Sequence, residues 1–307
     1  MLSVNIIVLN WNQPQLTLAT LDSLLKITSS GFSYHIYLVD NGSTDNSLSV
    51  FAKQFSAHPQ ITLLSTGKNL GYVGGNNFGI LHSDPKAKYF LICNNDIRVS
   101  KTFLATLLDS AQNCSHPSIV GPKIYFESGY EYFPDRYQPS DLGKVIWSAG
   151  GHIDWANIYG TNIGIDEVDQ GQFDQSAYQI DFLSGCCQLI PRTIINTIGL
   201  LDDAYFMYLE DADYCQRALR AGFGLDFVPN SVIWHLNAKS SGSGSDLHDY
   251  FLTRNRLLFG FKYSKPRTKL ALFRQSLITL FGSVSNWQKR GVADYYFHRL
   301  NRGSWPL

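Results

Sequence analysis

Tyr89-Phe-Leu-Ile-Cys-Asn-Asn-Asp96 is the stretch on which the reading of this chain turns. Tyr89 to Cys93 are mostly apolar and have the length of one buried strand. They run directly into Asn94, Asn95 and Asp96, whose side chains are rich in oxygen. In a parallel sheet, ligands gather beyond the carboxyl ends of the strands. A carboxylate there, with an amide two residues earlier, suits a hard divalent cation that phosphate oxygens also hold. Asparagine and aspartate are equally ordinary turn-formers, so the stretch needs support from its surroundings.

That support comes from the residues before it. Ser3–Leu9 reads as a strand, followed by a helix with Pro14 near its start and Leu16, Leu18, Leu21, Leu24 and Leu25 at roughly helical spacing. Ile36–Val39 is a second strand ending at Asp40, Asn46–Phe55 a helix, and Ile61–Leu64 a third strand. A glycine- and asparagine-rich turn, Gly71 to Gly79, leads into a short helix, and Lys101–Ser110 is helical beyond the quoted stretch. Strands alternating with helices predict an α/β fold with a right-handed, mainly parallel sheet flanked by helices. This order puts Asn10, Asp40, the Gly67–Asn77 turn and Asn94–Asp96 at one sheet edge, the expected place for a nucleotide crevice.

Composition excludes several classes. The chain has 307 residues with 25 basic and 25 acidic side chains, so no net charge points to nucleic acid. Met1 leads at once into the first strand, without the basic region and cleavage site of a secretory signal. No apolar run approaches the roughly 20 residues of a membrane span. Five cysteines without a signal suggest reduced, packing thiols and a cytoplasmic setting.

From Tyr125 to Tyr178 the alternation stops. Tyr130, Tyr132, Phe133, Tyr137, Trp147, Trp155 and Tyr159 lie among glycines and prolines, as an acceptor wall for sugar faces or as a small aromatic core. Tyr178–Ile190 restores order, followed by helix Arg192–Ile198. A helix from Asp211 then places Glu210 and Asp211 at its N-terminus, where the dipole favours carboxylates. Strands Leu225–Val228 and Val232–Trp234 deliver His235. Ser240–Ser245 is a flexible stretch of serine and glycine, a linker or a lid that orders on donor binding. The helices after it, Tyr250–Tyr263 and Lys269–Phe281, form a C-terminal extension. The second is apolar and basic, fit to pack on the main domain or to lie on an anionic membrane, with packing favoured.

Taken in order, these motifs resemble the family 2 glycosyltransferases of GT-A fold, especially a bacterial rhamnosyltransferase-like branch. The resemblance rests on Val39-Asp-Asn-Gly-Ser-Thr-Asp45, Asn69-Leu-Gly-Tyr-Val-Gly-Gly-Asn76, Asn94-Asn-Asp96, Glu210-Asp-Ala-Asp-Tyr-Cys-Gln-Arg217, His235 and Arg254-Asn255. It implies a GT-A (Rossmann-like) catalytic domain over 1–239, with a donor half at 1–123 and an acceptor half at 124–239. It implies inverting transfer of a sugar, from dTDP-rhamnose or a UDP-hexose, to a hydroxyl of a glycan or lipid-linked glycan in surface polysaccharide synthesis. The protein would work in the cytoplasm or at the inner membrane face.

The same resemblance assigns roles. Asp40 would read the donor's base or ribose, together with Asn10, Asn69, Gly71, Gly75, Asn76, Asn94 and Asn95 on the donor side. Asp96 and His235 would hold Mn²⁺ or Mg²⁺. Asn94 stands where the family's DxD signature has its first aspartate, which removes one charge from the metal site. Asp211 would be the catalytic base, with Glu210 as runner-up, and Arg254 would close over the diphosphate. Two other readings stay open. One is a sugar nucleotidyltransferase, which the absence of a glycine-rich basic loop at Asn10-Trp-Asn-Gln-Pro14 disfavours; the other is a catalytically silent sugar-binding module.

Overall fold

The computed structural model describes residues 2–175, 179–236 and 245–306. Its first half runs β1 (Leu2–Asn10), α1 (Pro14–Leu24), β2 (Phe32–Asp40), α2 (Ser47–Phe55), β3 (Ile61–Ser65), α3 (Gly71–Leu81) and β4 (Tyr89–Cys93), the predicted alternation. After it come β5 (Ile97–Val99), α4 (Phe103–Asn113), β6 (Ser118–Phe126), β7 (Ile146–Ser148), β8 (Gly151–Asp154) and β9 (Tyr159–Asn162). The chain continues with β10 (Cys187–Pro191), α5 (Arg192–Ile198), α6 (Glu210–Arg220) and β11 (Gly224–His235). It closes with α7 (Asp246–Tyr263), α8 (Pro266–Phe281) and α9 (Asn286–Tyr296).

The main sheet has the order β3-β2-β1-β4-β10-β6-β11-β5, with β7 also on β6. β3, β2, β1 and β4 are mutually parallel, as expected. β10 enters between β4 and β6 antiparallel to both, so the parallel reading holds only for the first half. β6 and β11 are again parallel, and β5 pairs antiparallel with β11. The two short strands expected before His235 are one strand, bent by a register shift between Val228 and Val232. Pro229 sits in that shift, where a missing N–H costs no ladder bond.

Register explains why the polar strand ends meet. Asn10 pairs with Asp40, Asp40 with Ser65, and Val8 with Cys93, so Asn94 and Asn95 leave the sheet level with Asn10. Alternate residues of β1 feed two cores. Val4, Ile6 and Val8 pack with Leu21 and Leu24 of α1, Phe51 of α2 and Phe103 of α4. Ile7 packs on the other face with Val73 of α3, Ile194 of α5, Tyr214 of α6 and Leu257 of α7. The buried face of α1 departs from a pure leucine stripe, since it also carries Thr17 and Thr20. Both hydroxyls reach backbone or side-chain oxygens at the strand ends, which is why polar residues are stable there.

The aromatic segment divides between the two expectations. Trp155 stacks on Phe259 of α7, and Phe126 meets Tyr132 edge-on, as in a satellite core. Trp147 instead lies edge-on to His235 with ring centroids 4.7 Å apart. Tyr130, Tyr132, Phe133 and Tyr159 are exposed. No described helix is long and apolar enough to cross a membrane. The proposed boundary at residue 239 and most of the serine-glycine stretch fall among residues 237–244, outside the described residues. Ser245 is described, and its hydroxyl caps α7 by accepting from the His248 N–H.

Candidate active site

The floor of the crevice is a side-chain network across the strand ends. Asn10 Nδ2 donates to Asp40 Oδ1 at 3.1 Å and to Ser43 Oγ at 3.0 Å, and the Ser43 N–H donates to Asp40 Oδ2 at 3.1 Å. Thr17 Oγ1 donates to Asn10 Oδ1, and Asn95 Nδ2 donates to Thr17 Oγ1. Asn10 and Asp40 are almost wholly buried. The side chains expected to meet the donor are held here by hydrogen bonds to the protein. They tie β1, β2, α1 and the end of β4 together beneath the crevice, and Asn95 is drawn into the same network.

Asn41, which motif reading passed over, holds the second turn. Its Nδ2 donates to Asn69 Oδ1 and the Gly71 carbonyl, and its Oδ1 accepts from the Leu70 N–H. Asn69 Oδ1 also takes the Gly71 N–H at 2.8 Å, so Asn69 shapes the start of α3. Gly71 and Gly75 are glycine for packing: an added Cβ would fall 2.5 Å from Phe206 and 2.4 Å from Leu9, respectively. Asn76 is buried in α3 and donates to the Tyr72 carbonyl. The close backbone approach expected toward a nucleotide at these glycines is thus made to protein.

Gly42 shows the same economy of space. Its φ is +67° and a Cβ would lie 2.3 Å from the Lys68 carbonyl carbon, where backbone meets backbone and nothing can swing aside. Gly42→Ala is expected to destabilise the fold by about 2 kcal/mol or more. Urea unfolding of the variant measures this, and a change within error would remove the close-approach argument.

Past the floor, Asp96 and His235 come together from β4 and β11, with His235 Nε2 3.1 Å from Asp96 Oδ1. Both are largely buried. Two buried nitrogens beside this pair, His235 Nδ1 and Trp147 Nε1, have no hydrogen-bond partner. An orphaned donor or acceptor at such depth favours a polar group arriving from outside the chain. Among the described residues no cluster of three or more His, Cys, Asp and Glu side chains gathers. The donor set of one carboxylate and one imidazole fits a hard cation whose remaining positions are filled by diphosphate oxygens and water.

The other side of the crevice is the N-terminus of α6. Asp211 Oδ2 accepts the Gly185 N–H at 2.9 Å and Oδ1 accepts the Ala212 N–H at 2.7 Å. The next residue after Gly185 reaches the end of β4, since the Cys186 carbonyl accepts the Asn94 N–H at 2.9 Å. Tyr72 fixes this turn from α3 by donating to the Gly185 carbonyl at 2.6 Å. Its phenol is held protonated, first by burial and then by the charges of Glu210 and Asp211. One dipeptide, Gly185-Cys186, therefore sets the spacing between the Asn94–Asp96 edge and Asp211.

The two adjacent acids are made unequal by their surroundings. Burial and then the charge of Asp211 push Glu210 up to about 8, and its Oε2 has no hydrogen-bond partner. Burial also raises Asp211, but backbone N–H groups of Gly185 and Ala212 oppose that rise by binding the carboxylate. Asp211 is also the more exposed of the two. Burial raises both acids, and the backbone N–H groups on Asp211 make it the more readily ionised of the two.

A group whose folded value lies above its unfolded one loses stability as pH rises between the two. For Glu210 that window runs from about 4.5 to about 8. Stability should fall across it with a slope of up to about 1.4 kcal/mol per pH unit, and Glu210→Gln should flatten the slope. Thermal unfolding at several pH values tests this, and equal slopes in both proteins would contradict it.

Arg254, expected to close over a diphosphate, is wholly buried in α7. Its guanidinium donates to Asn255 Oδ1 at 3.0 Å and to the Asn301 carbonyl at 2.5 Å, and stands 5.1 Å over the Phe251 ring. Asn255 in turn donates to the carbonyls of Met207 at 2.7 Å and Tyr208 at 3.0 Å. Tyr208 and Leu209 both have positive φ, near +70°, a strained conformation held directly before Glu210. The Arg254-Asn255 pair is thus a clamp on the loop that presents the acids. Asp213 completes the anchoring, accepting from Arg217, Lys262 and Tyr263.

Comparisons with known proteins agree with this geometry. The model of the family described as Glycosyl transferase family 2 matches residues 5–199. The chain belongs to glycosyl transferase family 2. It is 28% identical over 222 residues to the N-acetylglucosaminyl-diphospho-decaprenol L-rhamnosyltransferase of Mycobacterium tuberculosis, covering 69% of this chain and 70% of that one. It is likewise 28% identical over 183 residues to the low-salt glycan biosynthesis hexosyltransferase Agl10 of Haloferax volcanii, covering 59% and 53%. Among solved structures, GalNAc-T7 with UDP, GalNAc and Mn²⁺ aligns over 96% of this chain and 55% of its own, with a TM-score of 0.68 at 14% identity. The mannosyltransferase PcManGT of Pyrobaculum calidifontis, in complex with GDP-Man and Mn²⁺, aligns over 99% and 76%, with a TM-score of 0.55 at 13% identity. The family 2 chain is therefore a glycosyltransferase of GT-A fold and of the rhamnosyltransferase-like branch, as the ordered motifs imply.

Proposed function

We propose that this glycosyltransferase moves a sugar from dTDP-rhamnose or a UDP-hexose to a hydroxyl of a lipid-linked glycan, in one inverting displacement that depends on Mn²⁺ or Mg²⁺. The observation that carries the reading is the Gly185-Cys186 turn. Its Gly185 N–H binds the Asp211 carboxylate and its Cys186 carbonyl binds the Asn94 N–H, so one turn joins Asp211 to the strand end that leads to the Asp96–His235 pair. Single displacement needs a base on the acceptor side and charge stabilisation on the leaving-group side.

Asp96 and His235 would hold the cation. When bound, it supplies positive charge to the departing diphosphate. Asp211 takes the acceptor hydroxyl's proton as that oxygen attacks the anomeric carbon. Burial beside it favours the neutral form of Glu210, which limits the negative charge gathered at the pair. Half-buried Asn94 is the amide of the strand-end triplet that remains on the donor side. A lipid-linked acceptor is favoured by the decaprenol diphosphate in the name of the mycobacterial relative.

A hydrolysis and transfer screen over nucleotide-sugars, with and without EDTA, tests the reading. Turnover of dTDP-rhamnose or a UDP-hexose that stops in EDTA supports it. Binding of nucleoside triphosphates in preference to diphosphates, or of free sugar alone, would replace it with the other two classes.

A further inference from the structure

We infer that the outward face of α8 is a docking surface for an anionic lipid bilayer. The helix is anchored from one side only. Leu272 packs over Gly260 of α7, where an added Cβ would lie 2.3 Å from it. Ser276 Oγ meets the Tyr296 hydroxyl at 2.7 Å, and Gln275 accepts from Arg256. Of the whole helix only Leu272 and Ser276 are buried. The opposite side presents Leu270, Ile278 and Phe281, which are 61%, 69% and 85% exposed, together with Leu277, while Phe273 flanks the stripe against Tyr296. Residues 270, 274, 277 and 281 fall on one line of a helix, so Arg274 lies within the apolar stripe, and Arg267 stands one turn before Leu270. Side chains of that kind can bury their stems in a lipid interface and keep the guanidinium among headgroups.

Charge selects the partner. The chain is neutral overall, yet between Tyr250 and Ala293 it has nine basic residues and no acid. Arg254, Arg256 and Lys262 are engaged by carbonyls or carboxylates of the protein. Lys265, Arg267, Lys269, Arg274, Lys289 and Arg290 make no ion pair among the described residues. A second copy on this face would set the same cations against each other. Anionic headgroups satisfy both the charge and the apolar stripe. The inference deepens the reading of a lipid-linked acceptor, since it would bring the crevice to the surface where such an acceptor lies, but its own observations stand without it.

Flotation with vesicles tests it. The full chain is expected to float with phosphatidylglycerol-containing vesicles, to stay behind with phosphatidylcholine alone, and to be released by high salt. Phe281→Glu and Ile278→Glu are each expected to lower the partition coefficient by on the order of tenfold. Both sites are open to solvent, so folding is preserved, and turnover on a water-soluble acceptor should be unchanged. Failure to float with anionic vesicles, or undiminished flotation of both variants, would overturn the inference. So would a dimer in light scattering that Phe281→Glu disperses, which would assign the face to a second copy. Absence of transfer with any acceptor would count against the proposed function and leave the flotation result standing.

Discussion

Asp211→Asn is expected to lower turnover by roughly 10²–10⁴-fold while donor and cation affinity change little. The substitution keeps the shape of the side chain and its place at the start of α6 but removes the group that accepts a proton. Its two backbone partners, Gly185 and Ala212, are both N–H donors, so the amide oxygen can satisfy one and its nitrogen repels the other. A modest loss of stability should accompany the kinetic effect. Glu210→Gln is the control one residue away. Because burial raises Glu210 and favours its neutral form, replacing it by a neutral amide should affect turnover far less. A larger loss from Glu210→Gln would move the base to Glu210. Near-normal turnover in both variants would end the single-displacement assignment. The wild-type rate should rise with pH through the raised ionisation of Asp211, since the base acts only when deprotonated.

Asp96→Ala is expected to abolish cation-dependent donor binding, the second large effect. With Asp96 removed, His235 would be left as a single ligand, and an imidazole alone holds Mn²⁺ or Mg²⁺ poorly. Asp96 also faces His235 Nε2, so its loss adds one more unpartnered nitrogen to a site that already has His235 Nδ1 and Trp147 Nε1. Isothermal titration with donor in Mn²⁺ and in EDTA separates the cases. Equal affinity in both media for the wild-type protein would sink the cation role outright. An intact far-ultraviolet spectrum of the variant is needed beside it, since the pair joins β4 to β11.

From α7, Arg254 and Asn255 hold the carbonyls of Ala204, Met207, Tyr208 and Asn301. Variants there would shift Glu210 and Asp211 together. They should therefore resemble loss of the base in turnover without any loss in donor binding, although neither side chain reaches the crevice.

The alternation of strands and helices, the shared sheet edge and the family were legible in the sequence, because apolar periodicity and strand-end polarity are local properties. Asn94–Asp96, His235 and the Glu210-Asp211 pair could be placed at element ends for the same reason: each closes or opens an element whose pattern is visible. What the sequence could not assign was which polar groups are consumed by the protein itself. Asn10 and Asp40 are spent on joining three strand ends, Gly71 and Gly75 on packing against Phe206 and Leu9, and Arg254 on carbonyls 45 residues or more away along the chain. Asn41 and Tyr72 lie within quoted motifs and Gly185 outside them, but all three act through partners far off in the chain, so sequence reading assigned them no role. The inequality of Glu210 and Asp211 is likewise tertiary. Two neighbours of similar chemistry differ because one is buried without a partner for Oε2 and the other receives two backbone N–H groups. Sequence determined which residues arrive at the crevice; burial and hydrogen bonding decided which of them remain available there.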